Sequence, residues 1–441
     1  MNKKNNASKV ILAILLFVFI LLPEKIILAE ENLSKSNQTT DISEQYLKES
    51  EKTTALNLCN HLLTRQFNAL ITGNDVETRD IFYESDNTIL YNQFLRWRIK
   101  QSQVMHTSWS SYDYNLLNVD YVKDAENILI HGSFNLKYTY TNGLEGRQDN
   151  INFDARIKSV DNNYLIESFN IDEVMFDDFI STLNYENVID MDVTNHKVKN
   201  ININDINTVV DNMLMQIELT NELVSQEPNI IQPPLLKTRA SQYSYNSANG
   251  VAYANEYVYS NNPCFYTAAG DGGDCTNFIS QCIWAAYGGW NPGDSITTMT
   301  NNINNRVRMM PSTTLSNWFG HQYGAGTPWE SVNDLWNFAT LNSGTGPRAS
   351  GSNNNSVYKN LVAFAISSGD VLQVKRSGDA KYRHSVYVIF SSPKFSDDYN
   401  NIIVAQHSKN TTRALSDLIS GWGGADCYMR KLTFNSAQFD K

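Results

Sequence analysis

The run Asp271-Gly272-Gly273-Asp274-Cys275-Thr276-Asn277-Phe278-Ile279-Ser280-Gln281-Cys282 has the composition of a reactive-thiol site. Gly272-Gly273 lets the chain turn tightly and clears space beside the residues that follow. Asp274 is a helix-capping type. Phe278, Cys282, Ile283 and Ala286 then recur at helical spacing, and Gly288-Gly289 ends the element. The spacing places Cys275 in the first turn, where unpaired N–H groups and the helix dipole favour a thiolate over a thiol. Cys282, two turns on, falls on the apolar face and reads as a buried core thiol. An average cysteine is a buried hydrophobe or half of a disulfide, and Cys264 is the competing partner, eleven positions upstream of Cys275. A core position has no use for the Gly-Gly-Asp lead-in, so Cys275 is read as a nucleophile and a free thiol.

A nucleophilic sulfur needs a base. Of the seven histidines, His61, His106, His131 and His196 lie in the first half, which leaves His321, His384 and His407. Gly369-Asp370-Val371-Leu372-Gln373-Val374 reads as a strand, Ser377-Gly378-Asp379 as a turn, and Ser385 to Phe390 as the answering strand. His384 therefore sits at the end of a hairpin strand, a rigid place for a base. Ile402 to Gln406 is a third strand that ends on His407, which is expected to orient the imidazole of His384, with Asn410 as the rival. His321, in a glycine-rich loop beside Trp318 and Trp329, reads as structural. The expected catalytic set is thus Cys275, His384 and His407.

The elements that hold these residues fall into two parts. Lys3, Lys4 and Lys9 precede an apolar run from Val10 to Leu22, which is secretory-signal grammar, with cleavage expected after Ala29. Residues 1–29 are read as signal peptide and 30–44 as disordered. Within an accessory α+β domain at 45–225, Leu56, Cys59, Leu63, Phe67 and Leu70 predict a helix, and Ile89 to Gln103 a second. Phe134, Leu136, Tyr138 and Tyr140 share a strand face, Asn142-Gly143 turns the chain, and Ile151, Phe153, Ala155 and Ile157 answer. Ile206, Val209, Val210, Met213, Leu214 and Ile217 form the stripe of a closing helix. Pro228, Pro233 and Pro234 mark residues 226–242 as a linker, with few contacts expected across it.

The second part, 243–441, holds six of the eight tryptophans, enough to fill a small core and line a cleft. Lys+Arg 35 against Asp+Glu 46 gives a net charge of −11, and loss of residues 1–29 takes it to −14. That balance argues against nucleic acid as a partner. Past the signal segment no apolar run is long enough to span a bilayer, so no stable membrane insertion is expected after cleavage.

The order of a cysteine on a helix, a histidine on a strand and a polar residue on the next strand is papain-like. Tyr245-Asn246, Tyr253-Ala254, Gly272 to Cys282, Thr327-Pro328-Trp329, Trp336, Gly369 to Gln373 and His384-Ser385-Val386 carry a closer likeness. On these residues the second half, roughly 243–430, resembles the putative amidase domain family of exported bacterial proteins, related to NlpC-type and CHAP cell-wall hydrolases. The resemblance implies a papain-like cysteine hydrolase domain, a Cys-bearing helix packed on an antiparallel sheet bearing His. The smaller domain before it resembles the cone-shaped nuclear-transport-factor-like fold in element order. By the same resemblance Cys275 is the nucleophile, His384 the base and His407 the third member.

The implied chemistry is hydrolysis of an amide through a thioester, with no metal or organic cofactor. The implied substrate is peptidoglycan or another peptide or amide, met outside the cell or at its wall. A catalytically silent surface-binding module and a zinc amidase using His321, His384 and His407 are the alternatives, the second opposed by the lack of a clustered ligand motif. Any disulfide is expected among Cys59, Cys264, Cys282 and Cys427, with Cys264 and Cys427 the first pair to test.

Overall fold

In a computed structural model, the described residues are 47–161, 163–192, 197–222, 243–268 and 274–439. The signal segment 1–29, the stretch 30–44, the linker 226–242, His196 and Gly272-Gly273 lie outside them. From Leu47 onward the chain forms one unit.

Helix α1 (Glu49–Thr72) buries Ala55, Cys59, Leu62, Leu63, Phe67 and Leu70 along one stripe. The Glu51 carboxylate accepts from the Lys48 N–H at 2.8 Å at its start, and Gly73 stops it at φ +74°. Helix α2 (Asp86–Val104) is capped by Ser85. A meander follows: β1 (Trp109–Asp124), β2 (Asn127–Tyr140), β3 (Glu145–Val160) and β4 (Asn163–Ile171). Phe134, Leu136, Tyr138 and Tyr140 of β2 are buried, as are Ile151, Phe153, Ala155 and Ile157 of β3. The alternation in the sequence had placed both sets on inner faces. Strand β1 is an addition to the expected elements: its Tyr112, Tyr114 and Leu116 alternate with the exposed Asp113 and Asn115 and are half-buried. Helix α3 (Val174–Tyr185), a ribbon of β5 (Ile189–Asp192) and β6 (Lys197–Ile201), and α4 (Ile203–Glu222) complete this region.

The second region opens with α5 (Ser247–Tyr257), α6 (Cys275–Ala286) and α7 (Ile296–Asn304). The hairpin β7 (Gly320–His321) and β8 (Gly324–Ala325) leads to α8 (Thr327–Glu330) and α9 (Val332–Leu341). Five strands follow, β9 (Gly346–Ser352), β10 (Val371–Arg376), β11 (His384–Ser391), β12 (Ile402–Gln406) and β13 (Thr411–Ala414). Helix α10 (Leu415–Gly421) and the last strand, β14 (Cys427–Gln438), close the chain. On one face Phe278, Ile279, Cys282 and Ile283 of α6 pack with Val371, Tyr387, Ala405 and Leu432. On the other, Leu415, Leu418 and Ile419 of α10 pack with Leu372, Val374, Val386, Val388 and Val404. The fold is α+β around a large antiparallel sheet.

That sheet runs through both regions in the order β1-β2-β3-β13-β12-β11-β10-β14-β9, with β4 also on β3. The joint is antiparallel pairing of β13 with β3, Thr411 opposite Gln148 and Thr412 opposite Arg147. Asp417 of α10 enters the first region's polar interior. It accepts from Tyr140 Oη at 2.6 Å and Gln101 Nε2 at 3.1 Å, and Arg98 lies 3.7 Å away. The expectation of few contacts between the regions is therefore corrected: a strand edge and a buried charge both cross.

None of the five cysteines is in a disulfide, so the expected Cys264–Cys427 bridge is absent. Cys264 belongs to the core under α6 and Cys427 to the core under α10, on opposite faces of the sheet. Among the described residues no helix is long and apolar enough to cross a membrane.

A fragment of residues 243–441 bares the β13 edge and strands the Asp417 carboxylate, costs of about 1–3 kcal/mol for each buried group left unpaired. We expect it to unfold at clearly lower urea than the full chain, or to aggregate. Equal midpoints in parallel urea titrations would contradict the shared-sheet account.

Candidate active site

Every residue of α6 is buried. From Asp274 to Cys282 the run that reads as a thiol motif is polar at five positions, and inside the protein each of the five has a partner. Asp274 Oδ1 accepts from Ala268 N and Asn277 Nδ2, both at 2.7 Å, and its Oδ2 meets His407 Nδ1 at 2.7 Å. It stands at the helix N-cap position, yet its side chain makes no capping bond. Asn277 also donates to the Tyr266 carbonyl at 2.9 Å and accepts from Trp329 Nε1 at 2.7 Å. Ser280 donates to the Trp329 carbonyl, and Gln281 accepts from Tyr253 Oη, both at 2.7 Å. Thr276 Oγ1 lies 3.1 Å from Ser385 Oγ, tying the first turn to β11. Burying polar groups is tolerated only when they are paired, so these side chains fix the pose of α6. Helix α5 presses close to it: a Cβ on Gly250 would meet Tyr387 Oη at 2.1 Å and the Cys282 carbonyl at 3.0 Å.

Cys275 is the first residue of α6 and His384 the first of β11, and the structure brings them together. Both are almost fully buried, at 1 % and 5 % exposure. Burial pushes the Cys275 thiol up. The charge and hydrogen bond of His384, with the Ser385 backbone N–H and the Thr276 hydroxyl, outweigh it, so the thiol ends below its ordinary value. Cys59, just as buried in the first region's core, is pushed up to about 12. The largest difference between the two thiols is the imidazole beside Cys275.

His384 Nε2 lies 3.1 Å from Gln406 Oε1, which leaves Nδ1 for the sulfur. Its ring stacks on Trp422 at 5.7 Å between centroids and 6° between planes, which covers one ring face. Gln406 Nε2 donates to the Ser408 carbonyl at 2.9 Å, which sets its oxygen toward the imidazole.

His407 does not touch His384. Its Nδ1 faces Asp274, its Nε2 lies 2.8 Å from the Tyr257 carbonyl, and its ring stacks on Phe278 at 4.0 Å. The reason is register. Tyr387 pairs with Ala405 and Val388 with Val404, so positions 384, 386 and 388 share a face with 404 and 406. His407 falls on the opposite face, under α6. Asn410 sits in the β12–β13 turn at φ +42°. His321 lies in the β7–β8 hairpin, where its Nδ1 accepts from the Tyr323 N–H at 3.0 Å. Among the described residues no three His, Cys, Asp or Glu side chains gather as a metal-ligand set.

Asn277→Ala leaves the Trp329 indole N–H and an Asp274 oxygen short of a partner. We expect a loss of about 1–3 kcal/mol in denaturant unfolding, with the chain still folded. A loss under about 0.5 kcal/mol would show that the buried motif does not hold the helix.

No curated protein matches the chain. Among solved structures, the Kfla4162 protein from Kribbella flavida is similar at 11% identity, over 27% of this chain and 90% of that one, with a TM-score of 0.20. A putative aromatic ring hydroxylase from Novosphingobium aromaticivorans is similar at 11% identity, over 29% of this chain and 92% of that one, with a TM-score of 0.21. Residues 244–430, which hold Cys275, His384 and Gln406, match the family described as Putative amidase domain.

Proposed function

We propose that the protein is an exported bacterial cysteine amidase or peptidase, acting through a Cys275–His384 thiolate–imidazolium pair in a papain-like arrangement. The observation that carries this reading is the meeting of two buried side chains, Cys275 at the start of α6 and His384 at the start of β11, with Gln406 Oε1 3.1 Å from His384 Nε2. The thiolate attacks an amide carbonyl carbon, forming a C–S bond. As the tetrahedral adduct collapses the C–N bond breaks, and His384 gives its proton to the leaving amine. First-turn N–H groups of α6, which lack intrahelical acceptors, suit the developing oxyanion. Water, deprotonated by His384, then opens the thioester and releases the carboxylic acid, and the sulfur returns to thiolate.

Gln406 is the third member in this reading. Its amide oxygen accepts from His384 Nε2–H and fixes ring angle and tautomer without taking the proton. His407 supports the site from below, holding Asp274 at the start of α6. The substrate proposed is an amide bond in cell-wall peptidoglycan, supported by the basic and apolar leader of residues 1–29 and by the likeness to cell-wall hydrolases.

Digestion of purified cell wall should release fragments with the wild type and none with Cys275→Ala, read by mass spectrometry. Equal release by both proteins would sink the thiol mechanism. The acid-shifted thiolate gives a second check. Iodoacetamide should label Cys275 well below the pH at which ordinary thiols ionise. In His384→Ala burial is opposed only by the Ser385 N–H and the Thr276 hydroxyl, so the midpoint should rise from its wild-type position toward or past the ordinary thiol value of about 8.5. Gln406→Ala should slow wall digestion about tenfold to a hundredfold, with His407→Ala milder and less stable. The reverse order would restore His407 as the orienting residue.

A further inference from the structure

The contacts behind Gln406 continue out of the amidase-family region. Arg413 of β13 pairs in register with Val404 and so projects on the His384–Gln406 face. It is 1 % exposed. Its Nη2 donates to Gln406 Oε1 at 3.4 Å, and its Nη1 to Asp178 Oδ2 at 2.6 Å. Asp178 belongs to α3, in the first region. The same region grips this hairpin twice more. Lys409, in the β12–β13 turn at φ +60°, pairs with Asp177 at 2.9 Å, and β3 pairs with β13.

We infer that Asp178 is a positioning residue of the active site, acting through Arg413 on Gln406 and so on His384. The inference rests on the thiolate–imidazolium reading above. Gln406 can present either its oxygen or its NH2 to His384, and the two ends have nearly the same shape. A guanidinium beside the oxygen excludes the reversed amide, because two donors would then face each other. With the oxygen fixed, Nε2 must carry the proton and Nδ1 is left for the sulfur. An unbalanced guanidinium in that place would repel the imidazolium, and the Asp178 carboxylate balances it. The first region, read from sequence as a separate domain, thus supplies the counter-charge that lets the site hold its ion pair.

The other charged groups near this relay are Arg376, across Trp422 from His384, Lys409 and Asp177 at the turn, and Asp274 under His407. None is altered in the test. Site-resolved iodoacetamide labelling of Cys275 in the full-length protein, across about pH 5 to 10, reads the thiolate without a known substrate. Asp178→Asn should raise the midpoint by about one unit, cutting labelling near pH 6 about tenfold while keeping the alkaline plateau. Arg413→Lys should do the same, because one ammonium cannot reach both Asp178 and Gln406. A third variant acts from outside the relay: a Cβ at Gly421 would meet Asp178 Oδ2 at 2.1 Å, so Gly421→Ala should push the carboxylate aside and shift the midpoint the same way.

Tyr140→Phe, which removes a different buried contact between the regions, should lower stability and leave the midpoint in place. Where Asp178→Asn does not fold, Arg413→Lys and Gly421→Ala decide the matter. Wild-type midpoints in the relay variants, with a shifted His384→Ala, would overturn the positioning role and leave the thiolate reading standing. So would a shift in Tyr140→Phe as large as in Asp178→Asn, since that would mark a general loosening. A wild-type midpoint at the ordinary thiol value, unmoved in His384→Ala, would overturn both.

Discussion

A thiol buried to 1 % exposure is a poor acid, because the low dielectric around it disfavours charge. Cys275 is lowered all the same, and the His384 imidazole is the group that does it. That contact exists only at hydrogen-bonding distance and only with the ring turned correctly. Much of the remaining architecture serves that one contact. The buried polar side chains of α6 hold the sulfur, and β11 holds the ring at its first residue. Trp422 covers one ring face and Gln406 fixes the ring edge. The imidazole has almost no freedom left, which is what an orienting network has to achieve.

Holding the ring edge puts the burden on a hairpin. Strands β12 and β13 are five and four residues long, joined through two non-glycine residues in the left-handed region, Lys409 and Asn410. A ribbon that short is marginal without neighbours. One flank is closed by β11. On the other, the hairpin would be the sheet edge if the amidase-family region stood alone, and β3 occupies that edge instead. The side-chain pairs from α3 and the Asp417 carboxylate in the first region's interior reinforce the joint. An accessory region whose own interior shows no catalytic constellation is thereby placed where it bears on the reacting groups.

Local signals were legible in the sequence: the helix start at Cys275, the strand start at His384 and the faces of β2 and β3. Each follows from periodicity, turn residues or glycine placement within one element. What failed depended on the pairing of elements distant in the chain. Choosing His407, with Asn410 as its rival, came from its place at the end of the strand next to that of His384, and Gln406 was passed over. The choice turns on strand parity, and one position of register sends a side chain to the other face. Arg413 and Asp178 carried no local signal, for they meet across 235 positions of chain. The expectation of few contacts between the two regions failed for a similar reason: a proline-bearing linker speaks to the covalent connection and is silent on strand edges that pair past it.

The placement of the carboxylates bears on the chemistry. Asp274 and Asp178 both lie close to the site, yet neither contacts His384; one binds His407 and the other Arg413. The group that does contact the ring is a neutral amide. A carboxylate on Nε2 would bring a charge into direct contact with the ring, whereas an amide oxygen only accepts and fixes the ring's angle. The Arg413 guanidinium behind it makes the amide oxygen, and not its NH2, the end that faces His384, and Asp178 pairs with that guanidinium. Charge of each sign is thus held one residue away from the imidazole, and the group that meets the ring is a neutral one whose orientation is set from behind.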